Sequence, residues 1–430
     1  MQLHVRSYLA RWSAFLVMAA LSAGCSSGMT PSTDGQGTAN QTALQNLEGA
    51  AYVAHQIATG AFIEACPATV FGEGRCLAIG LKDKSRAPRS QAGPYGSVAG
   101  FGPAQLQSAY NIANDAKNDK GGLVAVVEAG GDPALDHDLG VYRKEFGLPR
   151  CDLRSGCLRI ENQYGKIRPH PPVINGWLAE QSLDVDMVSA NCPHCRILVV
   201  EASTSLGIAE RTAARAHPVA ISNSWGGGEF PGEKPSEHRL FDHPGIAVTA
   251  SAGDGGYGVI FPSAANTVVA VGGTSLYTAH NSRGWSETVW AGSGSGCSQY
   301  IPESSWQAPT EQQLGGCSKR IVADVAYIAD PDTGVAVYES LPGDGEPPGW
   351  QVWGGTSVGS PAIAAIYALS GDTTGYPASI AYANPTDLYN VTSGSNSPSD
   401  QCAPYYYLCN GEVGYNGPTG LGTPNGTGAF

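Results

Sequence analysis

Three short stretches of the sequence carry side chains that suit acyl-transfer chemistry. Glu180 and Asp184 stand four residues apart in WLAEQSLDVDMVSANCP, so a helix there places both carboxylates on one face. Ser357 follows a Gly-Gly-Thr run at the start of a helical stretch, and Asp254 lies in the glycine-rich turn TASAGDGGYG. A serine, a carboxylate with an orienting partner, and an acid that donates a hydrogen bond are the parts of a nucleophilic site.

Each stretch also has an ordinary structural explanation. Most acids on a helix are solvated, serine is a common N-cap, and Asp-Gly is a common turn. The order of residues along the chain does not exclude a Ser-His-Asp triad. However, none of the nine histidines has a distinctive position beside a predicted strand end. We therefore favour Glu180 as the base. Asp254 would donate a hydrogen bond in acid if burial or neighbouring acids raise its pKa.

Apolar runs that alternate with helical stretches would position these residues. The runs predict strands at 123–129, 196–202, 219–227, 245–254, 267–277, 334–340 and 350–355. A helix is predicted at about 357–369. Near-continuous Val, Ile and Ala strands separated by helices predict an α/β fold with a mostly parallel central sheet flanked by helices. Active sites of such sheets lie at the carboxyl ends of strands.

The overall composition argues against some classes of partner. The 430 residues carry a net charge of -13, with 24 Lys plus Arg and no basic run. Nucleic acid and anionic membrane surfaces are therefore poor candidates. A hydrophobic content of 42% with 57 Gly and 29 Pro is typical of a loop-rich globular protein with a full core. We expect a monomer.

The first 25 residues are typical of an export signal. Arg6 and Arg11 precede an apolar run at 12–21, and the following SAGC resembles a lipobox in which Cys25 becomes lipidated. Ser22 stands where a large aliphatic residue is more usual, so plain cleavage is the alternative. We predict an exported protein, secreted or periplasmic, or anchored to the cell envelope if Cys25 carries lipid. Any membrane contact would be through that lipid.

Ten of the eleven cysteines fall in close sequential pairs, as expected of an exported protein. The pairs are 66/76, 151/157, 192/195, 297/317 and 402/409. The simplest prediction is five local disulfides. The 192/195 pair, in CPHC, also fits half a zinc site or a redox pair, but the sequence contains no second CxxC.

Taken together, the motifs resemble those of the sedolisins, the serine-carboxyl peptidases, whose fold is similar to an enlarged subtilisin. That family carries Glu-x-x-x-Asp on a helix, an Asp in a Ser-Gly-Asp or Ala-Gly-Asp turn, and Gly-Thr-Ser before a helix. The matching residues are Glu180 with Asp184, Asp254, and Ser357. FGPAQLQSAYNIAN near 101, ISNSWGG and GPTGLGTPNG extend the resemblance over about 100–428.

The resemblance implies a role for each of these residues. Ser357 would be the nucleophile, Glu180 the general base, Asp184 its orienting partner, and Asp254 the oxyanion stabiliser. The implied activity is that of an exported endopeptidase acting on proteins or peptides in acid through an acyl-enzyme. A tripeptidyl exopeptidase and a catalytically silent binding protein are the alternatives. Residues 100–430 would form the peptidase domain, after a tether and a short pro-like region at 26–99.

The resemblance also raises calcium as a cofactor. Sedolisins bind it in a C-terminal loop through an Asp-Ile or Asp-Val pair and a later Gly-x-Gly-x-Asp. The aligned positions here are Asn390, Val391, Glu412, Gly414 and Asn416, so both Asp ligands are Asn. Amide oxygens can coordinate Ca²⁺, but the site has lost two formal charges, and affinity depends on ligand charge. We expect no cofactor to be required.

Overall fold

A computed structural model describes residues 50–94, 96–343, 345–373, 375–398 and 401–430. The predicted export signal, the tether up to about residue 45, and Cys25 lie outside these residues. The helices are α1 (Ala50–Ala58), α2 (Pro103–Ala109), α3 (Ala113–Asn118), α4 (Leu135–Glu145), α5 (Trp177–Asn191), α6 (Leu206–Arg215), α7 (Glu233–Leu240), α8 (Ala308–Leu314), α9 (Gly359–Ser370) and α10 (Ala378–Ala383).

The strands are β1 (Phe62–Glu64), β2 (Arg75–Cys76), β3 (Ile79–Leu81), β4 (Leu123–Ala129), β5 (Leu158–Asn162), β6 (Arg196–Ala202), β7 (Ala220–Asn223), β8 (Trp225–Gly228), β9 (Ala247–Ser251), β10 (Ile260–Phe261), β11 (Val268–Thr278), β12 (Trp285–Val289), β13 (Gly296–Pro302), β14 (Lys319–Val322), β15 (Val325–Ile328), β16 (Val335–Glu339), β17 (Gly349–Gly354), β18 (Leu388–Tyr389) and β19 (Thr423–Pro424).

The central sheet has eight strands in the order β12-β11-β9-β7-β4-β6-β5, with β15 paired to β11. Every pairing in it is parallel except that of β11 with β12. Its inner strands are buried because Val, Ile and Ala on both faces pack under helices. The predicted α/β fold with a mostly parallel sheet flanked by helices is confirmed.

Helix α5 lies in the middle of the molecule, where it contacts α4, α9 and β16. Every one of its residues is buried, including the polar ones. It begins after Gly176, whose φ of 89° and close approach to the Ala65 carbonyl oxygen exclude a side chain. A helix buried on all sides cannot rely on solvent to stabilise its acids, so its neighbours must do so.

Two predicted strand regions adopt a different arrangement. The run at 219–227 divides at Ser224 into β7, in the central sheet, and β8, which pairs with β2 and β10. The runs at 334–340 and 350–355 form an antiparallel hairpin, β16 and β17, in a separate sheet of order β1-β3-β17-β16. Strands β8, β16 and β17 have apolar sequences like those of the central strands, but they pair with strands outside the central sheet.

Residues 50–99 belong to the same compact unit as the rest of the described chain. Strand β2 pairs with β8, and β3 pairs with β17. The short pro-like region therefore contributes strands to two sheets. The boundary at 99/100 between a pro-like region and a peptidase domain stays a prediction.

The structure forms the five predicted disulfides. They join Cys66 to Cys76, Cys151 to Cys157, Cys192 to Cys195, Cys297 to Cys317, and Cys402 to Cys409. The bond within CPHC leaves no thiolate there to bind zinc. Within the described residues, no helix combines the length and apolar character needed to cross a bilayer.

Candidate active site

The four predicted site residues converge near the carboxyl ends of β7 and β9. Glu180 and Asp184 project from α5, and Asp254 follows β9. Ser357 lies in a 3-10 turn between β17 and α9, which begins two residues later than the predicted helix. All four are buried, and the most accessible, Asp254, is only 5% exposed.

Ser224, between β7 and β8, links Asp184 to Ser357. Its hydroxyl donates a hydrogen bond to Asp184 Oδ1 at 2.7 Å, and its carbonyl oxygen accepts one from the Ser357 hydroxyl at 3.3 Å. Burial raises the pKa of Asp184 to about 7, although the bond from Ser224 lowers it. One residue thus sets the positions of both the serine and the carboxyl behind Glu180.

Glu180 is a buried carboxyl next to the serine. Within the described part of the chain, neither of its oxygens has a hydrogen-bond partner at normal distance. Burial, and then the charge of Asp184, raises the pKa of Glu180 well above its ordinary value, whereas the Ser357 hydroxyl lowers it. An unpaired carboxyl that interacts with a serine hydroxyl is suited to exchange a proton with it.

Asp254 is held by the residue that precedes Ser357. The backbone N–H and the hydroxyl of Thr356 both donate to Asp254 Oδ1 at 2.8 Å. The other oxygen, Oδ2, is buried and has no partner among the residues the structure describes. Burial raises the pKa of Asp254 to about 7, so below that pH the carboxyl is neutral and can donate a hydrogen bond.

Glu128 is a further buried acid that the sequence analysis did not single out. It lies near the end of β4 and is fully buried. Burial, then the charges of Asp184 and Glu180, raise its pKa well above the ordinary value. The three carboxyls therefore titrate as one group. The signal in the sequence was a charged residue inside the otherwise apolar run LVAVVEA.

The chain's own Leu77 carbonyl oxygen lies between Ser357 and Asp254. It accepts a hydrogen bond from the Ser357 backbone N–H at 3.4 Å. This oxygen and Asp254 Oδ2 lie 2.0 Å and 2.8 Å from the point where a Cβ on Gly355 would stand. Gly355, with a φ of 86°, is thus needed to leave the space open. A backbone N–H and a neutral acid around one carbonyl oxygen have the form of an oxyanion hole.

Sequence comparison identifies two relatives of this chain. No protein-family model matches the sequence. Kumamolisin from Bacillus sp. (strain MN-32) is 30% identical over 365 residues, which make up 76% of this chain and 62% of kumamolisin. The chain belongs to the sedolisin family. Sedolisin from Pseudomonas sp. (strain 101) is also 30% identical, over 192 residues, or 40% of this chain and 29% of that protein.

The fold is that of sedolisin as well. A solved structure of Pseudomonas sedolisin, described as a serine-carboxyl proteinase complexed with two molecules of pseudo-iodotyrostatin, matches with a TM-score of 0.61. The match covers 76% of this chain and 95% of that one at 22% identity. The resemblance to a family of serine-type peptidases with a subtilisin-like fold is confirmed. The matched part of the chain spans 62% of the length of kumamolisin and 29% of the length of sedolisin, less than two thirds in both cases.

The loop aligned with the sedolisin calcium site is closed by its own amides. Asn390 Oδ1 accepts the Gly414 N–H at 2.9 Å, while its Nδ2 donates to the Leu421 carbonyl oxygen. Asn416 Nδ2 donates to the carbonyl oxygens of Val391 and Glu412, at 3.1 and 3.3 Å. These nitrogens present hydrogen-bond donors where Ca²⁺ requires oxygen ligands, so the residues do not fit the ion.

Proposed function

We propose that this chain is an exported serine-carboxyl endopeptidase that hydrolyses amide bonds of proteins and peptides in acid. The observation that carries the proposal is the set of groups around one carbonyl oxygen. Ser357 lies beside it, an unpaired Glu180 interacts with the serine hydroxyl, and the neutral acid Asp254 faces the oxygen. Membership of the sedolisin family supports the same activity.

In the proposed reaction Ser357 Oγ attacks the substrate carbonyl carbon while Glu180 takes its proton. The Ser357 N–H and the Asp254 carboxyl donate hydrogen bonds to the oxyanion. Glu180 then returns the proton to the leaving nitrogen as the C–N bond breaks, which leaves an acyl-enzyme and a free amine. Water, deprotonated by Glu180, releases the acid product, and the proton returns to Ser357.

Asp184 and Glu128 would act through Glu180 rather than on the substrate. Asp184, fixed by Ser224, orients the base, and Glu128 lowers the pKa of Asp184 through a side-chain hydrogen bond. Glu180 is fully buried, and this burial raises its pKa. Water that enters with a substrate would reduce this effect, so Glu180 could act as a base in acid, where histidine is protonated.

An endopeptidase is favoured over a tripeptidyl exopeptidase by the path of the chain around Leu77. The backbone pairs with β8 before Leu77 and with β17 after it. Within the described residues, a continuous chain thus passes the nucleophile. An exopeptidase would instead need a group that blocks the chain on the amino side of the bond. The proposal also includes export, with anchoring to the cell envelope if Cys25 carries lipid, a monomeric state and independence from calcium.

The activity is tested by incubating the purified protein with a denatured protein substrate from pH 3 to pH 8. Products are mapped by mass spectrometry, beside Ser357→Ala and a control, Ser370→Ala, at the far end of α9. We expect internal cleavage that is strongest in acid, absent from Ser357→Ala and unchanged in Ser370→Ala. Activity that rises toward neutral pH would indicate a histidine base and contradict the role of Glu180. A folded protein that never cleaves would favour the binding-protein alternative.

A further inference from the structure

A second ionisable pair, Glu201 with His170, lies next to the buried acids of the active site. Glu201 is near the end of β6, and its Oε2 lies 2.8 Å from Nδ1 of His170. The Glu201 side chain is only 1% exposed, whereas that of His170 is 36% exposed and reaches the surface. A carboxyl can exchange a proton with an imidazole bound to it, and the imidazole can exchange one with water.

The pairing of two strands places Glu201 beside Glu128. Strand β4 runs parallel to β6, and Glu128 is the register partner of Glu201. The backbones of paired residues in neighbouring strands are about 5 Å apart, and their side chains point to the same face of the sheet. Burial raises the pKa of Glu128, and the charge of Glu201 raises it further. The two carboxyls are therefore direct neighbours.

Asp184 connects Glu128 to the proposed base. Helix α5 packs on β4, and the carboxyl of Asp184 interacts with that of Glu128. Asp184 also interacts with Glu180, one turn earlier on the same helix. The side chains of Glu180, Asp184, Glu128, Glu201 and His170 thus form a continuous line from the serine to the surface, here called the acid row.

The segment that carries His170 is anchored on both sides of the imidazole. Before it, the Asn162 side chain donates a hydrogen bond to the Pro169 carbonyl oxygen at 3.0 Å. After it, the Gly131 N–H donates to the Pro172 carbonyl oxygen at 3.1 Å. These two bonds tie the segment to β5 and to the end of β4, so the position of His170 beside its carboxyl partner is set by the fold.

Groups from the neighbouring elements face Glu201. Glu128 faces it from β4, and His170 faces it from the segment before α5. Asp132, which follows β4, presents its backbone N–H at 3.4 Å, and β5 presents the neutral Asn162, the register partner of Glu201. Burial raises the pKa of Glu201, whereas the hydrogen bond with His170 and the charge of the imidazole lower it. Because these effects oppose each other, Glu201 can hold either a proton or a negative charge, as a relay requires.

Resting on the proposed function, we propose that Glu201 and His170 form a path by which the active-site acids exchange protons with solvent without using the substrate cleft. The carboxyls of the acid row are at most 1% exposed, so they need an intermediate group to exchange protons with water. A bound substrate would cover Ser357 and the acid beside it, whereas His170 lies at the other end of the row and is exposed. The path would let Glu180 lose or regain a proton while the cleft is filled.

Each step of the path moves one proton between neighbouring groups. For uptake, Nδ1 of His170 gives its proton to Oε2 of Glu201, and the imidazole regains a proton from water. The acid row then passes one proton from each carboxyl to the next as far as Glu180. The reverse sequence delivers a proton from Glu180 to water and leaves the carboxylate that can accept the Ser357 proton. Glu201 and His170 would act through Glu180 and not on the substrate.

The test follows proton uptake in a Ser357→Ala background, so it does not depend on catalysis. Rapid mixing lowers the pH from about 8 to about 5, across the pKa of Asp184 of about 7, and infrared absorption records the protonated carboxyl groups. Surface carboxyls protonate during mixing, so the slower phase reports the buried acids. The variants are His170→Ala and Glu201→Gln, which keeps the shape of the side chain but cannot pass a proton on. The control, His238→Ala, removes an exposed imidazole that pairs with a surface acid.

We expect both variants to slow proton uptake by the buried acids about a hundredfold, the usual contribution of a positioned proton-transfer group, with His238→Ala unchanged. Added imidazole should restore the rate of His170→Ala, because it can take the place of the missing side chain, and should not restore Glu201→Gln. Uptake at the parent rate in both variants overturns the proposal. Slow uptake in His170→Ala that imidazole leaves unchanged also overturns it, because that result indicates a purely structural role.

The same variants are then compared with Ser357 restored. Both should lower kcat in acid with KM unchanged, and imidazole should recover kcat in His170→Ala alone. If the parent cleaves and both variants cleave as fast, the path is overturned and the peptidase stands. Slow uptake that imidazole restores, in a protein that never cleaves, keeps the path and rejects the peptidase.

Discussion

Asp254→Asn gives a direct test of the neutral acid at the oxyanion position. The substituted side chain keeps an oxygen to accept both bonds from Thr356 and replaces the unpartnered Oδ2 with a neutral amide. Burial is the main reason that the pKa of Asp254 is raised to about 7, and hydrogen bonds from Thr356 oppose it. Asparagine does not titrate, so the variant isolates the contribution of this proton.

The sign and size of the effect follow from linkage. The folded state holds the Asp254 proton more tightly than the unfolded state, where the pKa is near its ordinary value of 3.8. Its contribution to stability is therefore complete below pH 3.8 and is lost as the pH rises to about 7. The difference between these pKa values corresponds to about 4 kcal/mol in the free energy of unfolding. Between pH 3 and pH 8, the free energy of unfolding of Asp254→Asn should therefore increase by about 4 kcal/mol relative to that of its parent.

The assay is urea unfolding followed by tryptophan fluorescence at several pH values, in a Ser357→Ala background that prevents self-digestion. Asp83→Asn serves as the control, since Asp83 lies at the surface and its pKa is lowered by Ser85. We expect the curves of free energy against pH for Asp254→Asn and its parent to diverge as the pH rises. Parallel curves would refute a raised pKa for Asp254, and with it the neutral donor.

Three other changes test separate parts of the structure. Glu128→Leu removes the hydrogen bond by which Glu128 lowers the pKa of Asp184, so kcat should rise at a higher pH with KM unchanged; a purely packing role would leave the pH profile in place. Asn390→Asp with Asn416→Asp restores two carboxylates, so calcium should raise the Tm of the double variant and not of the parent. Arg320→Met leaves the fully buried Asp324 without its paired cation and should cost about 3–5 kcal/mol in urea unfolding at pH 7; a loss below 1 kcal/mol would contradict this pairing.

Local patterns in the sequence were enough to find the acids on α5 and most of the central sheet. The four-residue spacing of Glu180 and Asp184 is a property of any helix, and the strands at 123–129 and 196–202 coincide with β4 and β6. Close cysteine pairs led to the disulfides for a similar reason, because the partners are near in sequence. Each of these features depends on residues within about twenty positions of one another.

Features that depend on distant partners were not predictable in this way. Glu128 joins the acid group only because β4 lies beside α5, and its run appeared simply apolar. The division at Ser224 reflects pairing of β8 with β2, a strand of two residues that has no pattern of its own. Short strands are defined by their partners rather than by their composition, so β2 could not be predicted before the fold was known.

The complete burial of α5 also bears on which parts of the fold open to solvent. Backbone amides in a segment packed on every side exchange with solvent only when the whole domain unfolds, whereas short edge strands open at a lower free-energy cost. Glu180 and Asp184 share that rigid segment and keep a constant separation, while the two-residue β2 lies where local opening is easiest. Hydrogen exchange should therefore be slowest at Glu180 and Asp184 and faster in β2, so the two acids keep their geometry while the strand beside them opens and closes.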